Sequence, residues 1–190
     1  MSSQVLLANL VVVAELAEAC QALADPLSRA TALIGDALLG GRKLLACGNG
    51  GSAGDAAHLT SELANRYSAD RRPYPAIDLT GEHNVVTAIA NDYGLEQVFA
   101  RQIWAHGQAG DVLCVFTTSG NSANVIAAIA QARQQGIHTI AFIGKGGGKL
   151  QGLADIEFII PSEVTARIQE MHMVLYHTIC EALEDRLVAG

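Results

Sequence analysis

The sequence predicts an α/β fold built on an open, doubly wound parallel sheet, and three observations carry that expectation. Five strand-like runs recur along the chain, at Lys43–Cys47, Ala76–Leu79, Val112–Phe116, Thr139–Ile143 and Ile156–Ile160. Helical patterns separate them, at about 52–67, 83–90 with 94–106, and 122–135. The first and third runs break into turns of glycine, serine, threonine and asparagine just before a helical pattern begins. Continuous apolar strands that alternate with helices belong to parallel sheets covered on both faces.

Taken in order, the elements begin with two helical segments at about 4–23 and 26–40, divided at Asp25-Pro26, a helix-start signal. The run Val5 to Ala14 is very apolar. Met1-Ser2-Ser3-Gln4 carries no positive side chain, Asn9 interrupts the run, and Glu15 and Glu18 follow. These features argue against a targeting signal or a membrane span, and for a helix that packs on another helix, including one of another subunit. The alternating strands and helices follow, and a long helix from about 163 to 188 closes the chain. No repeat, low-complexity tract or linker interrupts it, so a single domain over residues 1–190 is expected, with residues 1–40 serving packing and oligomerisation.

Composition narrows the functional classes. Half of the 190 residues are hydrophobic but only 5% are aromatic, so the core should be aliphatic. A formal charge of −7 offers no basic stripe for nucleic acid, yet leaves a small phosphorylated substrate open. Cys20, Cys47, Cys114 and Cys180 lie far apart, without metal-binding spacing. Read as reduced and structural, they point to a cytoplasmic protein.

Ligands of doubly wound sheets bind beyond the strand C-termini, and this rule selects the candidate residues. After the first strand comes Gly48-Asn49-Gly50-Gly51-Ser52; after the third comes Thr117-Thr118-Ser119-Gly120-Asn121-Ser122. Hydroxyls, an amide and glycines at a helix start can surround a phosphate without a lysine. A plain helix cap needs only one such residue. His58 and Glu62 stand one helical turn apart on one face, as an acid/base or metal-binding pair. On the last helix, Gln169 and His177 lie about 80° apart and can line one cleft, whereas His172 lies on the other side of Gln169. Asn91-Asp92, between two helical patterns, suits either a cap or a contact to a sugar hydroxyl. Gly144-Lys145-Gly146-Gly147-Gly148-Lys149 lacks the order of a nucleotide loop and reads as a flexible loop. Gly48 to Ala53 matches the loose dinucleotide pattern GxGxxA, with Asp78 ending the next strand, but no other feature calls for a nicotinamide.

Together, Gly48-Asn49-Gly50-Gly51-Ser52, His58, Glu62, Ala90-Asn91-Asp92-Tyr93, Thr118-Ser119-Gly120-Asn121-Ser122-Ala123-Asn124 and Arg167-Ile168-Gln169-Glu170 resemble the sugar isomerase (SIS) domain family. Within that family the chain resembles the phosphoheptose isomerases, over essentially its whole length. The resemblance implies a five-stranded parallel sheet flanked by helices, assembled as a homotetramer with active sites between subunits. It implies conversion of D-sedoheptulose 7-phosphate to D-glycero-D-manno-heptose 7-phosphate, the entry to the heptose of bacterial lipopolysaccharide.

Carried over by position, Glu62 and His177 match the family's acid/base pair. His58, Glu62, Gln169 and His177 match the zinc positions of metal-holding members. Asn49, Gly50, Gly51, Glu62, Asn91, Asp92, Thr117, Thr118, Ser119, Ser122 and Gln169 match substrate-binding positions, with Thr117 where members often have serine. The chemistry suits these types, because an enediol isomerisation needs a base that reaches carbon and an acid that serves oxygen. A non-catalytic branch of the family, a tetrameric scaffold for the replication initiator protein, is the alternative. Its members typically lack a carboxylate at the position of Glu62.

Overall fold

The structure, a computed structural model, describes residues 2–190. Met1, included in the single-domain expectation, lies outside them. Five strands form one parallel sheet: β1 (Leu44–Gly48), β2 (Ala76–Asp78), β3 (Val112–Thr117), β4 (His138–Ile143) and β5 (Ile156–Ile159), in the order β2-β1-β3-β4-β5. Every residue of β1 and β3 is buried, which is why these runs carry no polar alternation. The chain leaves β1 toward β2 and returns on the other side as β3. The turns after β1 and β3 diverge there and open a crevice at their C-terminal ends.

The period of two along each strand divides the core. Leu44 and Ala46 face α2 (Ala24–Leu39), α3 (Gly51–Ala64) and α7 (Thr165–Ala189), where Ile34, Leu59 and Ile179 pack. Leu45 and Cys47 face the opposite way, toward Phe99 and Ile103 of α5 (Val98–His106) and Ile129 of α6 (Ala123–Gln134). Phe116, Phe142 and Phe158 stack across β3, β4 and β5, with ring centroids 4.5 and 4.8 Å apart, inside an otherwise aliphatic interior.

The first two helices are more continuous than their sequence suggests. α1 (Ser2–Ala19) joins α2 through a 3-10 turn, Cys20–Leu23, and Pro26 lies inside the first turn of α2. Proline is tolerated there because a first-turn N–H has no helical partner. Only Leu16 of α1 is buried, while Val5, Leu6, Leu7, Leu10 and Val11 are each more than half exposed. By length and composition alone, Ser2–Leu39 is long and apolar enough to cross a membrane. α4 (His83–Tyr93) also runs further than expected, ending only at Gly94 with its φ of +87°. Asn91 and Asp92 therefore sit in the last turn of a helix, not between two helices. All four cysteines are unpaired, and Cys47 and Cys114 are buried in strands as expected.

Candidate active site

The site begins where β1 ends. Gly50 takes φ +57° and ψ −122°, a backbone open to glycine, and α3 starts at the next residue. One turn apart on α3, His58 Nε2 and Glu62 Oε1 stand 3.0 Å from each other. α7 crosses this face. It places His177 Nε2 3.3 Å from His58 Nε2, and the Tyr176 hydroxyl 2.9 Å from His58 Nδ1.

A buried ion pair ties the two helices together just beyond these groups. Arg71 donates from Nη2 to the Glu62 carbonyl (2.8 Å), from Nη1 to the Leu63 carbonyl (3.2 Å) and from Nε to Glu184 on α7 (3.2 Å). Glu184 also accepts the N–H groups of Ser68 and Ala69. Burial pushes the Glu184 carboxyl up, but these hydrogen bonds and Arg71 outweigh it and hold the group below its ordinary range.

Two cavities meet at Gly51 and Gln169. A cleft of about 500 Å³ is lined by Asp55, His58, Glu170 and Tyr176 as well as by these two residues. A smaller one of about 190 Å³ is lined by Asn49, Thr117, Thr118, Ser119 and Ser122 beside the same pair. A Cβ at Gly51 would stand 2.3 Å from Gln169 Nε2, so glycine there is what allows the glutamine to lie between the cavities. Neither α3 nor α6 has a side-chain cap; within their first turns the Ser52, Ala53 and Val125 N–H groups donate to the Asn49, Gly50 and Ser122 carbonyls.

The glycine-rich segment after β4 is not a free loop. It folds as a 3-10 turn, Lys145–Leu150, against the turn after β3. Gly120, at φ +64°, has the Gly147 carbonyl where a Cβ would be, and its own carbonyl accepts the Leu150 N–H at 3.0 Å. Asp78 closes its own turn, accepting from the Thr80 N–H and hydroxyl at 2.8 and 2.7 Å. The loose dinucleotide pattern thus lacks a free acid at that position.

The structure gathers His58, Glu62, Gln169, His177, Asn49, Gly51, Thr117, Thr118, Ser119 and Ser122 around one crevice, with Gly50 at its lip. Asn91 and Asp92 stand apart. They are exposed, bonded to each other at 2.8 Å, and line neither cavity. His172 is buried against the Ile143 carbonyl, and burial pushes its imidazole down to about 4.

Asp55, Tyr176 and Asn124 are additions that the sequence did not mark as site residues. Asp55 precedes His58 by three positions, a helical spacing that signals a shared face. Burial pushes its carboxyl up to about 6, against the opposing effect of His58. The His177 imidazole is held below its ordinary value by burial and then by His58, with Glu62 opposing.

The donor set suits a metal ion. His58, Glu62 and His177 each offer a ligand atom, all within 4.8 Å of one another. Two imidazoles and a carboxylate are the donor types that borderline divalent metals take.

Comparison with known proteins agrees with this architecture. A family model described as SIS domain matches residues 10–144. The phosphoheptose isomerase of Shewanella denitrificans is 46% identical over 173 residues, covering 90% of this chain and 88% of that protein. The solved phosphoheptose isomerase of Francisella tularensis superposes with a TM-score of 0.93 at 36% identity, covering 97% of this chain and 99% of the other. That of Neisseria gonorrhoeae gives 0.91 at 37%, covering 97% and 100%. The chain belongs to the SIS domain family, among the phosphoheptose isomerases.

Proposed function

We propose that this enzyme converts D-sedoheptulose 7-phosphate to D-glycero-D-manno-heptose 7-phosphate through an enediol, the first step toward the heptose of lipopolysaccharide. The observation that carries the reading is the meeting of Glu62 and His177, from α3 and α7, beside a hydroxyl-lined pocket at two uncapped helix starts. Thr117, Thr118, Ser119 and Ser122 hold the phosphate, and Asn49, Gly50, Gly51 and Gln169 line the path of the sugar. Glu62 takes the proton from C1 and returns it to C2, while His177 moves the hydroxyl proton from O1 to O2. The depressed His177 supports this role, because a neutral imidazole can accept that proton at neutral pH.

His58, Glu62 and His177, with Gln169 nearby, are the residues that would hold one zinc ion per subunit. Zinc ligands at about 2.0–2.1 Å from a tetrahedral centre stand roughly 3.3 Å apart, which matches the spacing of the two imidazole nitrogens. Bound there, the ion would supply Lewis-acid polarisation of the carbonyl and hydroxyl. We place the enzyme in the cytoplasm, in keeping with its four unpaired cysteines. We also assign it a homotetramer, whose assembly brings Asn91 and Asp92 to a neighbouring site. Support comes from their exposure and from the uncovered apolar side chains of α1.

Proton NMR of the purified protein with D-sedoheptulose 7-phosphate, with and without added zinc, tests the reaction. Aldoheptose 7-phosphate signals are the expected result. No conversion under either condition, from a folded oligomer, overturns it in favour of the initiator-binding scaffold.

A further inference from the structure

Asn49 and Asn124 lie 75 residues apart and exchange both amide hydrogen bonds: each Nδ2 donates to the other's Oδ1 at 2.8 Å. Asn49 follows β1, and Asn124 is the second residue of α6, so the pair bridges the turns on either side of the switch point. The N-cap positions of α3 and α6 belong to Gly50 and Ser122, so neither asparagine is placed to cap a helix. Each amide gives one N–H and one oxygen lone pair to its partner. Asn124 is buried, and Asn49 stands between the 190 Å³ pocket and a cavity of about 490 Å³ on the other side, lined by Leu95, Glu96 and Asn124.

We propose that Asn124 is a positioning residue, which staples the turn after β1 to the turn after β3 through Asn49. Asn49 then serves the ligand through its backbone and not through its amide. The staple fixes the spacing of two turns that must meet one ligand at both ends. With either amide removed, the two turns lose their shared register, although their hydroxyls and glycines remain. The inference rests on the isomerase reading only in placing the phosphosugar between those turns.

A double-mutant cycle on the full-length protein tests it, using Asn49→Ala, Asn124→Ala and the double variant. Calorimetric affinity for inorganic phosphate and for D-sedoheptulose 7-phosphate would be measured beside kcat and KM. Each single variant is expected to weaken both ligands by about tenfold, with KM rising in step and a smaller fall in kcat, since two neutral hydrogen bonds are lost. The double variant should match either single one. Additive losses, or a large loss with Asn49→Ala and little with Asn124→Ala, overturn the staple and assign the Asn49 amide to the substrate. Asn124→Ser, which lacks the reach to Asn49, supplies the same corner if the alanine variant does not fold. Wild-type protein that turns over no heptulose phosphate but shows a non-additive phosphate cycle would reject the isomerase reading and keep the staple.

Discussion

Glu62 contributes two things at once: a carboxylate 3.0 Å from His58 and a side chain of fixed length on α3. Glu62→Gln keeps the length and removes the base. It is expected to lower kcat by roughly 10²–10⁴-fold, with an unchanged melting curve by circular dichroism. Retained turnover would remove Glu62 from the proton-transfer role. His172 makes a separate prediction, about stability. Its folded pKa is depressed from 6.5 to about 4, so between those values the unfolded chain binds more protons than the folded one. Stability is therefore full above pH 6.5 and falls as the pH drops toward 4. At about 1.4 kcal/mol per pH unit the loss reaches roughly 3 kcal/mol. His172→Leu should flatten that decline in urea melts run across the window; an unchanged slope would place the acid sensitivity elsewhere. The i,i+4 spacing made His58 and Glu62 legible in the sequence, and hydroxyl density did the same for Thr117 to Ser122. Tyr176 and Asn124 were not legible as site residues, because their partners lie 118 and 75 residues away and only packing brings them together.

Strands were readable at the level of elements because burial on both faces demands unbroken apolar runs, and each observed strand lies within a residue or two of its run. Helix ends were less so. α4 passes through Asn91 and Asp92 because nothing breaks the backbone before Gly94, and the apparent break at Pro26 is absorbed in a first turn. The loop between α3 and β2 carries no regular pattern, yet its Arg71 links α3 to α7. Its side chain and that of Glu184 are 1% and 9% exposed, so removing one partner leaves a buried charge without its counter-ion. Arg71→Ala should cost about 3–5 kcal/mol in a denaturant melt. It should also lower activity, by releasing the end of α3 that carries Glu62. A loss below about 1 kcal/mol would show that water replaces the guanidinium at little cost.

For the whole molecule, the open matter is what covers α1. A soluble protomer does not leave Val5, Leu6, Leu7, Leu10 and Val11 in water along one helix without a partner surface. α4 and its surroundings add Val85, Tyr93, Leu95 and Trp104, which are also exposed. The proposed homotetramer would bury both regions and carry Asn91 and Asp92 to a neighbouring subunit, which makes activity depend on assembly. Replacing Leu6 and Leu10 together by aspartate puts charge on the α1 face while leaving the sheet and its crevice untouched. Light scattering after size exclusion should then report a species smaller than that formed by the wild-type protein, with turnover falling in step and the far-ultraviolet spectrum retained. A variant of unchanged mass in solution would place the interface elsewhere. Wild-type protein that needs detergent to remain in solution would instead assign the apolar face of α1 to a membrane, which the continuous stretch Ser2–Leu39 is long enough to cross.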